Sequence, residues 1–294
     1  MTSGGGNPLV RRRRLAVELR RLRAASGQTL EEVADYLECS PAKVSRIENG
    51  QVTVRIQDAK ELLDLYDVAG DQREALLEMV RQARRKGWWH PYADLVKPET
   101  GLEKLLSLED EATALYVHET NLVPGLLQTT GYTTFLMNSR DDYPPAVLDR
   151  YVDLRMRRQQ VLERPDAPAL HAVLDEAVLR RRVGGPKVMK DQYEALIAVS
   201  ERPNITLRVL PFDAGPHQAM GFAFHLFEFS GTDPQVVYVE HLEGAAFVEQ
   251  LEEVARYRAA FTQASGYALD PERTREFIAD FAEMAEKQDD TLLR

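Results

Sequence analysis

The sequence predicts an all-α N-terminal domain followed by an α+β C-terminal domain that contains a mixed sheet. From Leu15 to about Lys86 the apolar residues recur at helical spacing, with short breaks between the helices. After residue 88, helical patterns alternate with apolar runs of strand length. The charge also changes there, from a surplus of Lys and Arg to a surplus of Asp and Glu. These observations divide the chain into two domains of different class.

The composition narrows the class of protein. The chain has 294 residues, of which 44% are hydrophobic and 29% charged, a balance typical of a soluble globular protein with room for two domains. Its single cysteine, Cys39, excludes a disulfide framework and a Cys-rich zinc site and suits a reducing cytoplasm. The longest uncharged stretch, 120–139, contains Pro124, Gly125 and many polar residues. We therefore expect a cytoplasmic protein with no transmembrane helix and no secretory signal.

The distribution of charge matters more than its total. The net charge of −10 argues by itself against a nucleic-acid partner. However, residues 1–87 hold 16 Lys and Arg against 13 Asp and Glu, whereas residues 88–294 hold 21 against 34. A basic head on an acidic body is typical of a two-domain DNA-binding protein. The predicted segments are a disordered basic arm at 1–14, a helical DNA-binding head at 15–87 and an α+β domain at 88–294.

The first two helices of the head are defined by apolar spacing and by a cap. Leu15, Leu19 and Leu22 lie on one face of a first helix that stops near Gly27. Thr29 and Glu32 then form a capping-box pattern, in which each side chain can bond the backbone N–H of the other residue. The sequence therefore predicts that a second helix begins directly after Thr29.

A third helix follows after a three-residue turn. Ser40 is a typical N-cap, Pro41 suits the first helical position, and Val44 and Ile47 face inward. Two short helices joined in this way predict a helix-turn-helix motif. The second helix of the motif, which is the third helix of the head, fits the major groove of DNA. The candidate DNA contacts are the outer face of that helix, the start of the second helix and the basic arm: Ser40, Ala42, Lys43, Ser45 and Arg46; Gln28 and Thr29; and Arg11, Arg12, Arg13 and Arg14.

The string from Thr29 to Gly50 resembles the XRE (Cro/cI-type) helix-turn-helix family, since it combines a Thr start, a Val-Ala pair, a turn and a Ser-x-Ile-Glu-x-Gly ending. The resemblance implies a lambda-repressor-like head and a buried pair between Arg23 and Glu48. Its DNA-facing positions fall on Thr29, Ser40, Pro41, Ala42, Lys43 and Arg46. The sequence departs from the family pattern in two places. Glu38 stands where the turn usually has glycine, and Pro41-Ala42 replaces polar base readers.

The second domain is predicted from alternating strand and helix patterns. The predicted strands are 113–117, 169–174, 205–212, 222–229 and 236–240. The predicted helices are 102–108, 132–138, 146–162, 187–200, 247–264 and 271–286. Several strands alternate poorly between apolar and polar residues, so we expect them to be buried on both faces.

Six strings in this region resemble the C-terminal domain of unknown function that follows an XRE head in actinomycete regulators of the WhiJ-like type. They are 87–89, 123–129, 155–159, 174–181, 210–215 and 236–240. The resemblance spans about residues 15–275. It implies a transcription regulator that is commonly encoded beside a very small acidic partner protein. It implies no ligand or chemistry for the domain.

Seven polar residues of the second domain are candidates for a ligand or partner site: Arg155, Gln159, Asp175, Glu176, His217, Tyr238 and Glu240. Arg155 and Gln159 share a helix face and could bind a carboxylate together. Asp175, Glu176 and Glu240 lie at strand ends and, with His217, could form an acid–base site. The favoured alternative is that Arg155 pairs with one of these carboxylates to stabilise the domain. No nucleophile, metal or phosphate-loop motif accompanies them, and we expect no metal and no cofactor.

The sequence leaves three functional hypotheses. The favoured hypothesis is a non-enzymatic, sequence-specific transcriptional regulator that acts at the nucleoid and senses a small protein or ligand through its C-terminal domain. The second is an antitoxin-like member of a two-gene module that binds a small acidic partner. The third is an enzyme with a DNA-binding head. One head offers few base contacts, so we expect a homodimer joined through the C-terminal domain, by helix 247–264 or the helix after it.

Overall fold

A computed structural model describes residues 8–83, 87–97, 100–140, 143–231 and 233–292. The chain divides into two compact units. The first extends to Pro91 and includes Glu103–Glu111, and the second consists of Tyr92–Leu102 and Ala112–Arg294. Within the described residues, no helix combines the length and the apolar character needed to cross a membrane.

The first unit is helical, as predicted. Its helices are α1 (Pro8–Ser26), α2 (Leu30–Tyr36), α3 (Pro41–Glu48), α4 (Ile56–Leu65), α5 (Gly70–Gln82) and α6 (Leu102–Glu111), of which α6 lies apart in sequence. One core joins the first five: Leu15 and Leu19 of α1 pack with Ile47 of α3, Leu63 of α4 and Val80 of α5. All five side chains are at most 2% exposed. The apolar stripe of α1 therefore holds the recognition elements against the rest of the head.

Two predictions about the limits of this unit need correction. Residues 8–14, predicted as part of a disordered arm, form the first turns of α1, while residues 1–7 lie outside the described residues. Arginine is a good helix former, so a run of four arginines extends the helix that the leucines begin. The predicted boundary at residues 87 and 88 lies near Pro91, but α6 packs with the first unit although it was assigned to the second domain.

The second unit has α+β architecture, which confirms the predicted fold class. Its strands are β1 (Ala114–Glu119), β2 (Ala169–Asp175), β3 (Ile205–Leu210), β4 (Phe224–Glu228), β5 (Val236–His241) and β6 (Gly244–Val248). Its helices are α7 (Thr130–Arg140), α8 (Pro145–Gln159), α9 (Glu176–Arg180), α10 (Gly185–Val199), α11 (Leu251–Tyr267) and α12 (Pro271–Leu292).

The strands form one mixed sheet in the order β3-β2-β1-β4-β5-β6. The pairs β1–β2 and β2–β3 are parallel, whereas β1–β4, β4–β5 and β5–β6 are antiparallel. Neighbouring residues on one strand, such as Val173 and Leu174, are both buried, because side chains that point to opposite faces are both covered. The poor alternation in the sequence therefore has the predicted cause, burial on both faces of the sheet.

The predicted helix 247–264 is wrong at its start. Gly244–Val248 is a strand that pairs with β5, so that Phe247 lies opposite Tyr238 and Val248 opposite Val237. The helix α11 begins only at Leu251. Phe247 and Val248 continue the apolar spacing of the following helix, and a short apolar run does not show from its own residues whether it belongs to a strand.

Candidate nucleic-acid interface

The caps of α2 and α3 fix the two helices of the predicted helix-turn-helix. The Glu32 backbone N–H donates to Thr29 Oγ1 at 3.2 Å, and the Thr29 N–H donates to Glu32 Oε2 at 2.8 Å. At the start of α3, Ser40 Oγ accepts from the Lys43 N–H at 3.3 Å, with Pro41 in the first helical position. Each cap satisfies backbone groups that the helix leaves open, and so determines where each helix begins.

The turn between α2 and α3 requires a left-handed residue, and that residue is Glu38, with φ of 47°. The Cys39 N–H then donates to the Ala34 carbonyl at 2.9 Å, which closes the turn over a fully buried alanine. Glycine adopts this conformation without a steric cost, whereas a side chain such as that of glutamate pays about 1 kcal/mol or more. The chain therefore keeps the turn geometry at some cost in stability.

The outer face of α3 is open. Ser40, Pro41, Ala42 and Arg46 are exposed, and Lys43 and Ser45 are partly exposed. Beside them, at the start of α2, Thr29 is exposed and Gln28 is partly exposed. The structure thus places the candidate contacts of α2 and α3 on accessible parts of the helix-turn-helix.

Arg46 is the exposed cation of α3. Its Nε donates to the Ala42 carbonyl one turn earlier at 3.3 Å, so the start of the guanidinium lies along the helix surface. Asn49, which the sequence analysis did not include, is also exposed and donates to Ser45 Oγ at 3.3 Å. Its spacing of four residues from Ser45 could have identified it, because residues four apart share a helix face.

Lys43 has a partner that local spacing could not reveal. Its Nζ donates to Asp58 Oδ2 of α4 at 2.7 Å. The two residues are 15 positions apart, so only the packing of α4 against α3 brings them together. The ammonium of Lys43 therefore lies in an ion pair and differs in this respect from its expected role as an open contact.

Arg23 and Glu48 form a two-point ion pair between α1 and α3. Arg23 Nε donates to Glu48 Oε1 at 2.7 Å, and Nη2 donates to Oε2 at 3.0 Å. The Glu48 side chain is only 5% exposed, and the hydrogen bond to it raises the pKa of Arg23. A third bond, from Arg23 Nη1 to the Gln28 carbonyl at 3.0 Å, ties the pair to the start of α2. The pair thus connects the three helices that form the interface.

The four arginines predicted to form a flexible arm, Arg11–Arg14, lie instead within α1 and are each partly buried. Burial lowers the pKa of Arg12, and the negative charge of Glu103 in α6 opposes that shift. These observations do not support a free arm that follows the phosphates or enters the minor groove.

In the second unit, Gln159 binds backbone rather than a carboxylate. Its Nε2 donates to the carbonyls of Gly125 at 3.0 Å and Gln128 at 2.8 Å. Arg155 lies against Gly125 so closely that a β-carbon at position 125 would clash with its guanidinium. The shared helix face of Arg155 and Gln159 therefore holds the 123–129 loop on α8.

Asp175 and Glu176 also have local roles. Asp175 caps α9 by accepting from the Ala177 N–H at 2.8 Å. The buried Glu176 accepts from the Phe212 N–H at 2.8 Å and pairs with Arg180. Each carboxylate is thus engaged by its immediate surroundings, which favours a structural role.

The remaining candidates do not converge on one site. Glu240 and Asp175 lie near the carboxyl ends of β5 and β2. However, β1 and β4 lie between these two strands, which separates the two residues by about 14 Å at the usual strand spacing. Tyr238 is 6% exposed and packs between the rings of His225 and Phe247. Glu240 therefore does not join Asp175 and Glu176 in an acid–base site.

His217 does lie near a histidine that the sequence analysis missed. Its ring centroid is 5.7 Å from that of His118, which is fully buried on β1. His118 Nδ1 is 2.8 Å from the Phe222 carbonyl, which can only accept, so Nδ1 carries the proton. Burial, together with the charge of His217, lowers the pKa of His118 against the opposing effects of this bond and of Asp175.

The described residues of the chain contain no group of three or more His, Cys, Asp or Glu side chains arranged to hold a metal ion. They do form a groove of about 630 Å³ between the 218–224 segment and α11. It is lined mainly by apolar side chains, among them Phe222, Phe224 and Tyr257.

Comparison with known families identifies two segments of the chain. A family model described as a helix-turn-helix domain matches residues 14–76, which contain the interface. A second model, described as a domain of unknown function (DUF5753), matches residues 102–280 and so covers more than half of the chain. A search of curated proteins found no match.

Proposed function

Because the chain belongs to the DUF5753 family and carries a helix-turn-helix domain, we propose that it is a sequence-specific DNA-binding transcriptional regulator rather than an enzyme. The observation that carries this proposal is the outer face of α3, where Ser40, Ala42 and Arg46 are exposed. Side-chain caps fix the starts of both α2 and α3. A helix of this kind fits the major groove, and its side chains then face the base edges.

Within this interface the structure supports a division of roles. Arg46 is the best candidate to read a base, because arginine makes a two-point contact with guanine and this side chain is exposed. Gln28 and Thr29, at the start of α2, lie beside backbone N–H groups that suit a phosphate. Arg23 and Glu48 support both by fixing α1, α2 and α3 relative to one another.

We propose that the second unit senses a small molecule or a small partner protein. The groove of about 630 Å³ beside α11 supports the first alternative, since its lining combines aromatic side chains with a few polar ones, as the lining of ligand sites does. An acidic partner protein, and with it an antitoxin-like role in a two-gene module, stays a second proposal that rests on the sequence resemblance. We place the protein in the cytoplasm at the nucleoid, because its proposed target is genomic DNA.

We also propose a homodimer, because a single short recognition helix makes too few base contacts to select one site in a genome. Two heads would then read half-sites about 34 Å apart. The exposed Leu251 at the start of α11 makes that helix a candidate surface for contact between the second units.

Genome-wide occupancy of the tagged full-length protein in its own host tests the proposed function. We expect a limited set of sites that share a two-fold symmetric motif with half-sites one helical turn apart. Occupancy that shows no enriched sequence would contradict a sequence-specific regulator.

A further inference from the structure

Asp58 forms an ion pair with the ammonium group of Lys43, which is one of the two basic residues of α3. The Nζ–Oδ2 distance is 2.7 Å, and the two side chains are 34% and 15% exposed. An ion pair that is partly buried is weakened less by salt than a pair on the open surface. The only other cation of α3 is Arg46. The pair therefore changes the charge that the recognition helix can offer to DNA.

Asp58 lies near the start of its own helix. Asp58 lies in the first turn of α4, where the helix dipole stabilises a negative charge. A phosphate that approached Lys43 would have to displace this carboxylate, and it would be repelled by the same charge once displaced. Lys43 would thus exchange one negative partner for another.

We propose that Asp58 is a positioning residue that withholds Lys43 from the DNA backbone and so lowers the affinity of the head for DNA of any sequence. This inference rests on the proposed DNA-binding function. Each lysine that neutralises a phosphate releases counterions, and this release dominates non-specific binding. The wild-type protein accordingly makes one phosphate contact fewer than its exposed face suggests. Removal of the Asp58 charge restores that contact.

The test is the salt dependence of binding to a short labelled duplex of random sequence, measured by fluorescence anisotropy with full-length protein. For Asp58→Asn we expect the slope of log K against log salt to steepen by about 0.9, the contribution of one phosphate. The same contact makes binding up to about eight-fold tighter at ~0.1 M salt. For Lys43→Ala we expect the wild-type slope, because the lysine makes no phosphate contact in the wild type.

The matched control is Asp64→Asn. Asp64 lies on the same helix as Asp58. Its carboxylate pairs with Arg73 at 2.8 Å rather than with Lys43. This variant removes the same charge from α4, so it reports the general effect of net charge alone. The double variant Lys43→Ala/Asp58→Asn leaves the net charge unchanged and has no lysine to release, so it should return to the wild-type slope. Melting curves of all variants establish that the head is folded.

Two results would overturn the inference. Equal slopes for Asp58→Asn and Asp64→Asn would show that Asp58 does not withhold Lys43. A slope that flattens by about 0.9 in Lys43→Ala would show that Lys43 already contacts a phosphate, and this second result does not depend on the Asp58 variant folding. A wild-type protein that binds no DNA at any salt concentration would refute the proposed function itself, and the inference with it.

Discussion

Arg23 of α1 donates two hydrogen bonds to the carboxylate of Glu48 of α3, at 2.7 Å and 3.0 Å, and the Glu48 side chain is only 5% exposed. The same arginine holds the carbonyl of Gln28 ahead of α2. The relative placement of three helices of the DNA-binding head therefore depends on one ion pair. This pair supports the interface and is not one of its exposed contact residues.

Loss of Glu48 should unfold the head rather than simply weaken its contacts. Glu48→Ala leaves Arg23 charged and partly buried without its carboxylate, which we expect to cost about 3–5 kcal/mol in the free energy of unfolding. Chemical denaturation of the full-length protein measures the loss. The control is Glu18→Ala, which breaks an exposed pair with Arg21 and should cost at most about 1 kcal/mol. Equal stabilities of the two variants would contradict a structural role for the Arg23–Glu48 pair.

Glu38→Gly should stabilise the head. With φ of 47° at this position, glycine removes a steric cost of about 1–2 kcal/mol and adds back about 0.5–1 kcal/mol of chain entropy. The expected net gain of about 0.5–1 kcal/mol is measured as a shift in the urea midpoint. Asp67→Gly is the comparison, because φ is 54° there and aspartate tolerates this conformation better. A loss of stability in Glu38→Gly would show that the glutamate side chain has a role in the turn.

The second unit should lose stability in mild acid. Burial lowers the pKa of His118 and also that of His171, so between the unfolded and folded pKa values the unfolded chain binds more protons. The stability of the unit therefore falls as the pH decreases below about 6.5, the ordinary histidine pKa. His118→Asn keeps a donor for the Phe222 carbonyl but cannot titrate, so its unfolding free energy should depend less on pH. His241→Asn, at an exposed histidine, should keep the wild-type dependence, and equal curves for the two variants would exclude His118 as the cause.

Dimerisation should depend on the second unit. Leu251, which is 77% exposed at the start of α11, is the test position for the proposed contact. Leu251→Glu should convert a dimer to a monomer in sedimentation velocity at micromolar concentration, because a buried interface does not accept an unpaired charge. Val17→Glu on α1, where the valine is 57% exposed, is the control and should stay dimeric. A dimer that Val17→Glu dissociates and Leu251→Glu does not would move the interface to the head.

The parts of the structure that were predictable have short-range causes. The caps at Thr29 and Ser40 lie within three residues of the groups they satisfy, so their sequence pattern is sufficient. The Lys43–Asp58 pair and the contact of His118 with the Phe222 carbonyl join residues far apart in the chain, and no local pattern encodes them.

The predictions that the structure contradicts also failed for physical reasons. Arg11–Arg14 were expected to be disordered because the run is basic, yet arginine favours a helix once leucines anchor the next turn. The predicted helix 247–264 includes Phe247 and Val248 of β6 because a short apolar run fits either element, and pairing with β5 decides between them. Strand ends alone group Glu240 with Asp175 and Glu176, but the order of strands in the sheet separates Glu240 from the other two.

Arg46→Ala should weaken binding to the operator with little effect on the fold. The side chain is exposed and makes one bond to the Ala42 carbonyl, so its removal leaves the core intact. Loss of a two-point contact with guanine should cost about 1–3 kcal/mol of operator affinity and relax the base preference at one position of each half-site. Selection of binding sequences from a random DNA pool measures both effects.

The most direct test of α3 as the recognition helix is the operator footprint of Arg46→Ala beside that of Arg81→Ala, in which an exposed arginine is removed from α5. Both variants lose one positive charge from the head, but only the first loses a side chain of the recognition helix. We expect that Arg81→Ala protects the operator like the wild type and that Arg46→Ala needs roughly five-fold or more protein for the same protection. Identical footprints at identical concentrations would contradict the assignment of α3 as the element that reads DNA.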